Sequence, residues 1–294
     1  MKIIANKEYL KIKRRSKLSE IFMCMPLSVW VVCLILLPLC YLLFMSFMTK
    51  GPMGTIKHVF SVDSYVRMLE PEYFSVFKKS LYIAFISTVA NIVLGYPMAY
   101  FIASKVKMSS TLMLMLMLPF WTCALVTIYS FVIMFSNAGL INSFLMALGI
   151  IDKPIDMLYN NFSVSVGMVY ELLPFAVMPM YSSIQKMDKN FIEASKDLGA
   201  GPIKTFFKIT LPLTKPGIYA AIILTFIPCI GYYMITDMLG GGTTLLIGNV
   251  IYNQFTSARD WPFGAALSCI LSAAIILMMF IYTKLGGDLD NLGA

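Results

Sequence analysis

Six stretches of about 20 mostly apolar residues constrain this chain more than any other feature, because a helix of that length crosses the hydrocarbon layer of a membrane. The chain has 59% hydrophobic and 13% charged residues. This hydrophobic fraction is larger than the core of a soluble protein of 294 residues requires. The sequence therefore predicts an all-α membrane protein. Its six transmembrane helices are expected near residues 24–48, 80–103, 111–135, 162–184, 217–238 and 261–283.

The distribution of lysine and arginine predicts how these helices are oriented. With an inward N-terminus, 16 of the 23 basic residues fall in the segments on one side of the membrane, and cytoplasmic segments carry that excess. Both termini are therefore expected in the cytoplasm of a multi-pass protein of the cell membrane. The net charge of +8 reflects this topology, since no nucleic-acid-binding motif accompanies it.

The predicted topology divides the chain into a basic cytoplasmic segment (1–23), a six-helix domain (24–285) with a long cytoplasmic loop (185–216), and a short tail (286–294). Two further apolar stretches, 139–150 and 244–255, have helical spacing but are too short to span. Each is expected either to lie at the outer interface or to re-enter the protein.

Residues that would indicate catalysis or metal binding are missing from the pattern. The six cysteines lack paired spacing, the single histidine, His58, stands apart from other ligand types, and no Ser/His/Asp set or paired carboxylates can be assembled. No G-x-x-x-x-G-K phosphate loop occurs. We expect no enzyme activity, cofactor or metal in this chain, so that any ATP would be bound by another chain.

The cytoplasmic loop contains the sequence EASKDLGAGPIKTFFKITLP, residues 193–212. Asn190 predicts the cap of a short amphipathic helix over 191–198, which Gly199 ends. A second helix is expected over 202–209, ended by Leu211-Pro212. One side of the first helix carries Phe191, Ala194, Ser195 and Leu198. An exposed apolar side on a helical hairpin indicates a docking surface.

This loop resembles the E-A-A, three residues, G, nine residues, I-x-L-P pattern of the inner-membrane permeases of ABC-type importers. Only the third position departs, with serine in place of alanine. The matching positions are Glu193, Ala194, Ser195, Gly199, Ile209, Leu211 and Pro212. The resemblance implies the type I importer permease architecture and a loop that docks into the ATP-hydrolysing subunit. Glu193 would face that partner and Gly199 would form the bend.

Other segments are similar to the spermidine/putrescine branch of this family over roughly residues 26–285. The segments that carry this similarity are PFWT (119–122), LPF (173–175), YSSI (181–184), LIGNVI (246–251) and RDWPFGAA (259–266). The resemblance implies a pair of ATP-binding subunits that hold ATP and magnesium, a second homologous permease chain, and an extracytoplasmic polyamine-binding protein, all assembled in membrane lipid.

The sequence departs from this family pattern at two positions. Thr127 occupies a position that is usually basic, and Glu171 lies outside the family pattern.

A path for polyamines requires carboxylates and aromatic faces, because the ligand is a chain of ammonium groups joined by methylenes. The candidates are Trp121, Tyr129, Glu171, Asp237, Asp260 and Trp261. Glu171 lies mid-span, where a carboxylate costs about 3 kcal/mol unless it is paired or faces water.

Each of these candidates also has a structural interpretation. Glu171 would cap a helix break at Pro174 or pair with a neighbouring subunit. Asp237 and Asp260 would be helix-boundary residues, with Asp260 pairing only with Arg259, and Trp121 would pack. At the level of function, the alternatives are a permease for another small solute and a secondary transporter, which needs no ATPase-docking loop.

Overall fold

The computed structural model describes residues 25–26, 28–105, 107–188 and 190–284, and these are mostly helical. The helices are α1 (Ser28–Ser46), α2 (Asp63–Arg67), α3 (Pro71–Ser104), α4 (Ser109–Met117), α5 (Ala124–Phe135), α6 (Leu140–Ala147), α7 (Asn161–Gln185), α8 (Asn190–Asp197), α9 (Pro202–Leu213), α10 (Lys215–Gly231), α11 (Met234–Gly240), α12 (Ile247–Thr256) and α13 (Trp261–Lys284). A small hairpin, β1 (Thr49–Lys50) and β2 (Ile56–Lys57), follows α1. The predicted segments 1–23 and 286–294 lie outside the described residues.

The prediction of an all-α protein with six spans is confirmed. Five helical segments in the described part of the chain are long and apolar enough to cross a membrane, and a sixth span results if α9 and α10, which meet at 64°, count as one. The predicted boundaries hold for α1, α3, α7 and α13 to within a few turns.

Two predicted spans are interrupted. The span expected over 111–135 breaks after the 3-10 turn Leu118–Trp121, and the spanning segment is instead Ala124–Ala147, which joins α5 and α6. Pro119 has no backbone N–H to continue the α4 hydrogen-bond ladder, which explains this break. The span expected over 217–238 divides at Tyr232 and Tyr233, between α10 and α11.

The core is formed by α3, α7 and α10, which pack side by side. One cluster of buried side chains, which includes Ile83, Met168 and Ile230, lies toward α11 and α13. A second, which includes Tyr96, Val177 and Met180, lies toward α9. Close helix contact depends on small residues, since a side chain at Gly217 would collide with the backbone of α7.

The two short apolar stretches both form helices, α6 and α12. The wholly buried Asn142 in α6 binds both the N–H (2.9 Å) and the carbonyl (3.0 Å) of Ile155, which fastens the following loop. The first turn of α12 is buried, and Gly248 lies against the carbonyl of Gly231 at the α10–α11 break. The second stretch therefore enters the protein at its N-terminal end.

Candidate functional site

The loop that resembles a docking segment forms two helices, α8 and α9, which we call the elbow (residues 190–213). The carboxylate of Asp188 accepts the backbone N–H of Asn190 at 3.0 Å, so Asp188 supplies the cap predicted for Asn190. Gly199 ends α8 with φ +74°, a left-handed conformation that favours glycine. The predicted bend at Gly199 is thus present.

The second half of the elbow is longer than predicted. Leu211 and Pro212 do not end α9, which passes through a π-helical turn at Phe206–Thr210 and continues to Leu213. A proline can occupy this position because the wider turn before it changes which backbone groups must pair. Leu211 packs with the second core cluster, which includes Tyr96, Val177 and Met180. Ile209 is half-buried, and Pro212 is exposed.

Ser195, the residue that departs from the family pattern, joins the two halves of the elbow. Its hydroxyl donates to the carbonyl of Ile192 (2.9 Å) and lies 2.8 Å from the hydroxyl of Thr205 in α9, with both side chains buried. Because the single proton of Ser195 is directed at Ile192, Thr205 is the donor between the two hydroxyls. The extra hydroxyl at position 195 therefore has a buried partner.

The elbow presents an apolar surface that nothing in the described chain covers. Leu198 is 87% exposed and Ile203 is 74% exposed, and Phe191 and Phe207 are also exposed. Of the predicted apolar side of α8, only Ser195 turns inward. Glu193 is exposed and, with Lys196, lines a cavity of about 450 Å³ between α8 and the ends of α3 and α7.

The elbow is attached to the helix core at its C-terminal end, where α9 meets α10 at 64°. The Thr214 hydroxyl donates to the carbonyl of Thr210 (2.8 Å) and accepts from the hydroxyl of Tyr96 in α3 (2.8 Å), and all of these groups are buried. The ring of Phe206 packs edge-on against Tyr96 (5.7 Å between ring centroids) and Tyr100 (6.1 Å). The end of the elbow is thus in buried contact with α3 and with the start of α10.

The predicted path residue Glu171 lies half-buried in α7, and Tyr232 donates a hydrogen bond to its Oε1 at 3.0 Å. Helix α7 continues without interruption through Pro174 and Pro179, so the interpretation of Glu171 as the cap of a break at Pro174 is wrong. The carboxylate instead reaches across to the break between α10 and α11. The other structural alternative, a pairing with a neighbouring subunit, is untested.

Trp121 and Tyr129 are both exposed, Trp121 to 79%. They lie on the segment that borders a groove of about 300 Å³, whose polar lining consists of Thr122, Thr127, Ser130 and Tyr170. Tyr170 stacks on Phe120 (5.5 Å) and meets Phe131 edge-on (5.1 Å). The groove thus combines hydroxyls with the aromatic rings of Phe131 and Tyr170, and Trp121, Tyr129 and Glu171 are not among the residues that line it.

Sequence reasoning missed the aromatic pair of Tyr233 and Tyr252, whose rings stack at 4.4 Å and 10°. The two tyrosines lie at the α10–α11 break and in α12, and no sequence period connects these elements. The nearest available signal was the Tyr-Tyr pair that follows Gly231. Asp237, in the first turn of α11, is exposed and makes no ion pair within the described residues.

Asp260 is buried to 6% exposure and forms an ion pair with Arg67 (2.9 Å). Lys50 lies 3.9 Å from the same oxygen, and the other oxygen caps α13 by accepting the N–H of Phe263. The predicted pairing with Arg259 alone is wrong, because the segment between α1 and α3 provides Arg67 and Lys50 as partners instead. Whether Asp260 contacts a substrate remains an untested prediction. Trp261 is partly exposed and packs edge-on against Phe255 at 5.9 Å.

Arg67 keeps its charge in this setting. Burial alone would lower its pKa, but hydrogen bonds to Tyr73 and Asp260 outweigh that effect and hold the pKa above its ordinary value. The guanidinium also lies 4.1 Å from the ring centre of Phe263, a cation–π geometry. The segment between α1 and α3 is thereby held at the start of α13.

Residues 16–289 match the family described as "Binding-protein-dependent transport system inner membrane component". The chain belongs to this family. It is therefore a multi-pass inner-membrane permease component, as the sequence predicted. Over 256 residues it is 45% identical to "Spermidine/putrescine transport system permease protein PotB" of Escherichia coli (strain K12), an alignment that covers 87% of this chain and 93% of the relative.

A protein of the same name from Haemophilus influenzae is 37% identical over 257 residues, which cover 87% of this chain and 90% of the relative. Among solved structures, a chain of a bacterial ABC transporter involved in the import of the acidic polysaccharide alginate is similar with a TM-score of 0.73. The sequences are 16% identical and the match covers 95% of this chain and 98% of that chain. This similarity shows that the chain has the same fold as that transporter chain.

A double-mutant cycle tests the hydroxyl pair in the elbow. Ser195→Ala or Thr205→Val each leaves one buried hydroxyl with one partner fewer, and each is expected to destabilise the elbow by about 1 kcal/mol. The double variant Ser195→Ala/Thr205→Val removes both hydroxyls and is expected to regain most of this loss. Thermal unfolding of the purified complex measures it, and strictly additive losses would contradict the pairing.

The ion pair at the start of α13 is tested by Arg67→Gln, which leaves the Asp260 carboxylate buried beside a weaker partner. We expect a loss of about 2 kcal/mol in stability, because a hydrogen bond between charged groups is replaced by a neutral one. Arg259→Gln is the matched control, since Arg259 adjoins Asp260 in sequence but does not pair with it; its effect is expected within about 0.5 kcal/mol. Equal unfolding temperatures for the two variants would refute the assignment.

Proposed function

We propose that this chain is a membrane-spanning permease subunit of an ATP-driven importer of polyamines such as spermidine and putrescine. The observation that carries the substrate class is the 45% identity, over nearly the full length of both chains, to a permease that bears the name of a spermidine/putrescine system. The family match alone supports a solute importer of unspecified substrate.

The elbow supplies the coupling in this proposal. The permease binds no ATP, and a separate pair of ATP-binding subunits holds ATP and magnesium. The apolar surface around Leu198 and Ile203 docks into a cleft of one such subunit, where burial of exposed apolar area provides the free energy of association. Glu193, exposed on α8, faces the partner.

Force then passes through the junction of α9 and α10. When the ATP-binding subunits close, the elbow moves, and the buried contacts of Phe206 and Thr214 with Tyr96 transmit that displacement to α3 and α10. A packed interface of this kind shifts between discrete arrangements rather than deforming gradually. The transmembrane path therefore opens alternately to the two sides.

The proposed path is lined by Trp121, Tyr129 and Glu171, with Asp237 at its outer end and Trp261 near the start of α13. Aromatic faces attract ammonium groups and also accommodate the methylenes between them. Asp260 has a structural role in this mechanism, because Arg67 already compensates its charge.

The assembly contains a second homologous permease chain and an extracytoplasmic polyamine-binding protein, and the elbow and both termini face the cytoplasm. A solved relative of the same fold is a bacterial alginate ABC transporter in complex with an alginate pentasaccharide-bound periplasmic protein, which supports the participation of a binding protein here.

Uptake by the intact complex tests this function. The complex is purified through a tag on this chain, reconstituted in proteoliposomes with its binding protein, and supplied with radiolabelled spermidine and internal ATP. We expect uptake that requires ATP and is reduced by unlabelled putrescine. ATP-dependent uptake of a different solute would show a permease of other specificity, and spermidine uptake that needs only an ion gradient would show a secondary transporter.

The bend of the elbow provides the mutational test. Gly199→Val places a β-branched residue at φ +74°, which costs roughly 1–2 kcal/mol and is expected to reduce uptake about fivefold to thirtyfold at unchanged membrane level. Gly201→Val is the matched control, because Gly201 has φ −71° and, like Gly199, open space around its Cα. Equal uptake by both variants would contradict the role of the bend.

A further inference from the structure

Glu171 has an electrostatic requirement that the described chain does not meet. Both ion pairs among the described residues involve Asp260, so Glu171 has no cationic partner there. The hydrogen bond that its side chain accepts comes from Tyr232, and a carboxylate can accept about four. In a membrane span such a charge calls for a cation or for water.

Tyr232 belongs to the backbone that separates two helices. Its φ of −73° and ψ of 112° are extended, between the end of α10 at Gly231 and the start of α11 at Met234. The side chain that holds Glu171 is thus part of a hinge-like segment. Tyr232 itself is not part of a helix.

The helix faces are in register for this contact. Gly167 and Glu171 lie one turn apart on the same face of α7. Gly167 admits the side chains of Ile235 and Leu239 of α11, which would collide with any larger residue there. One turn along, Glu171 meets Tyr232. The fit of α11 on α7 therefore sets whether the carboxylate and the phenol can meet.

An ammonium group is a stronger partner for Glu171 than the phenol is. The hydrogen bond from Tyr232 already has one ionised partner, the carboxylate, but the phenol itself is neutral. An ammonium group donates a hydrogen bond and also brings a full positive charge, which adds Coulomb attraction. Tyr170, which precedes Glu171 on α7, lines the groove of about 300 Å³ together with Phe131. Aromatic faces of this kind attract cations.

On the basis of the proposed function, we propose that Glu171 binds an ammonium group of the polyamine and that Tyr232 occupies this carboxylate when no ligand is present. The arriving ammonium displaces the Tyr232 hydroxyl and so releases the segment between α10 and α11. Helix α10 extends from this segment back to Thr214, the residue that follows the elbow and contacts Tyr96. Occupancy of Glu171 is thereby communicated to the ATP-binding subunits along a single helix.

The test uses the intact complex and measures the spermidine concentration that gives half-maximal uptake, together with ATP hydrolysis in the absence of spermidine. Glu171→Gln keeps an acceptor for Tyr232 but removes the charge, and is expected to raise the half-maximal concentration about tenfold, the equivalent of 1.4 kcal/mol. Tyr232→Phe removes the competing hydroxyl and keeps the ring, and is expected to lower that concentration about threefold and to raise ligand-free ATP hydrolysis.

The opposite directions of the two shifts are the signature, because a purely structural pair would weaken uptake in both variants. Tyr233→Phe is the matched control. Its ring retains the stack with Tyr252, and it is expected to leave both quantities unchanged. The double variant Glu171→Gln/Tyr232→Phe is expected to match Glu171→Gln alone, since the hydroxyl has no charge left to compete for.

Shifts in the same direction, or no shift in either variant, would overturn this inference while leaving polyamine import intact. Failure of the unaltered complex to take up spermidine would instead overturn the proposed function. The unfolding temperature of each variant, measured in the same preparations, identifies any loss of uptake that comes from destabilisation, and a loss explained in this way counts against the inference.

Discussion

The buried hydrogen bond between Tyr96 and Thr214 is the contact on which the rest of the architecture depends, because it lies where the elbow turns into the helix core. The chain bends by 64° at this point. The carbonyl of Thr210 accepts both the backbone N–H (3.0 Å) and the hydroxyl (2.8 Å) of Thr214, and that hydroxyl in turn accepts from Tyr96. Loss of the Thr214 hydroxyl would leave the buried hydroxyl of Tyr96 unpaired, at a cost of about 1–3 kcal/mol.

From this bend, α10 connects the elbow with the break that holds Tyr232, the two places to which we assign a part in transport. Its first residues follow the elbow, and its last residue precedes the break where Tyr232 meets Glu171. Close packing against α3 and α7 through small residues such as Gly217 makes the helix move with its neighbours. In the proposed mechanism, this helix carries a change at one end to the other, as an importer driven by separate ATP-binding subunits requires.

The elements that could be predicted from the sequence are those encoded by local pattern. Apolar length determined the spans, glycine at position 199 determined the end of α8, and the spaced loop pattern indicated the elbow and the family. The interruption at Tyr232 had no such signal, since the surrounding apolar run is continuous. It is stabilised by a distant element, α12, whose Gly248 lies against the Gly231 carbonyl. Likewise, the partner of Asp260 comes from position 67, far away in sequence, and was assigned to its neighbour instead.

The most direct test of the account is a photo-crosslink from the elbow to its partner in the intact complex. A photo-reactive amino acid in place of Leu198, which is 87% exposed, is expected to label an ATP-binding polypeptide, because the elbow is the proposed docking surface. The same residue in place of Leu140, which is 73% exposed in α6, is expected not to label it. Labelling of the ATP-binding polypeptide from position 140, or its absence from position 198, would contradict the claim that this elbow receives the force of ATP hydrolysis.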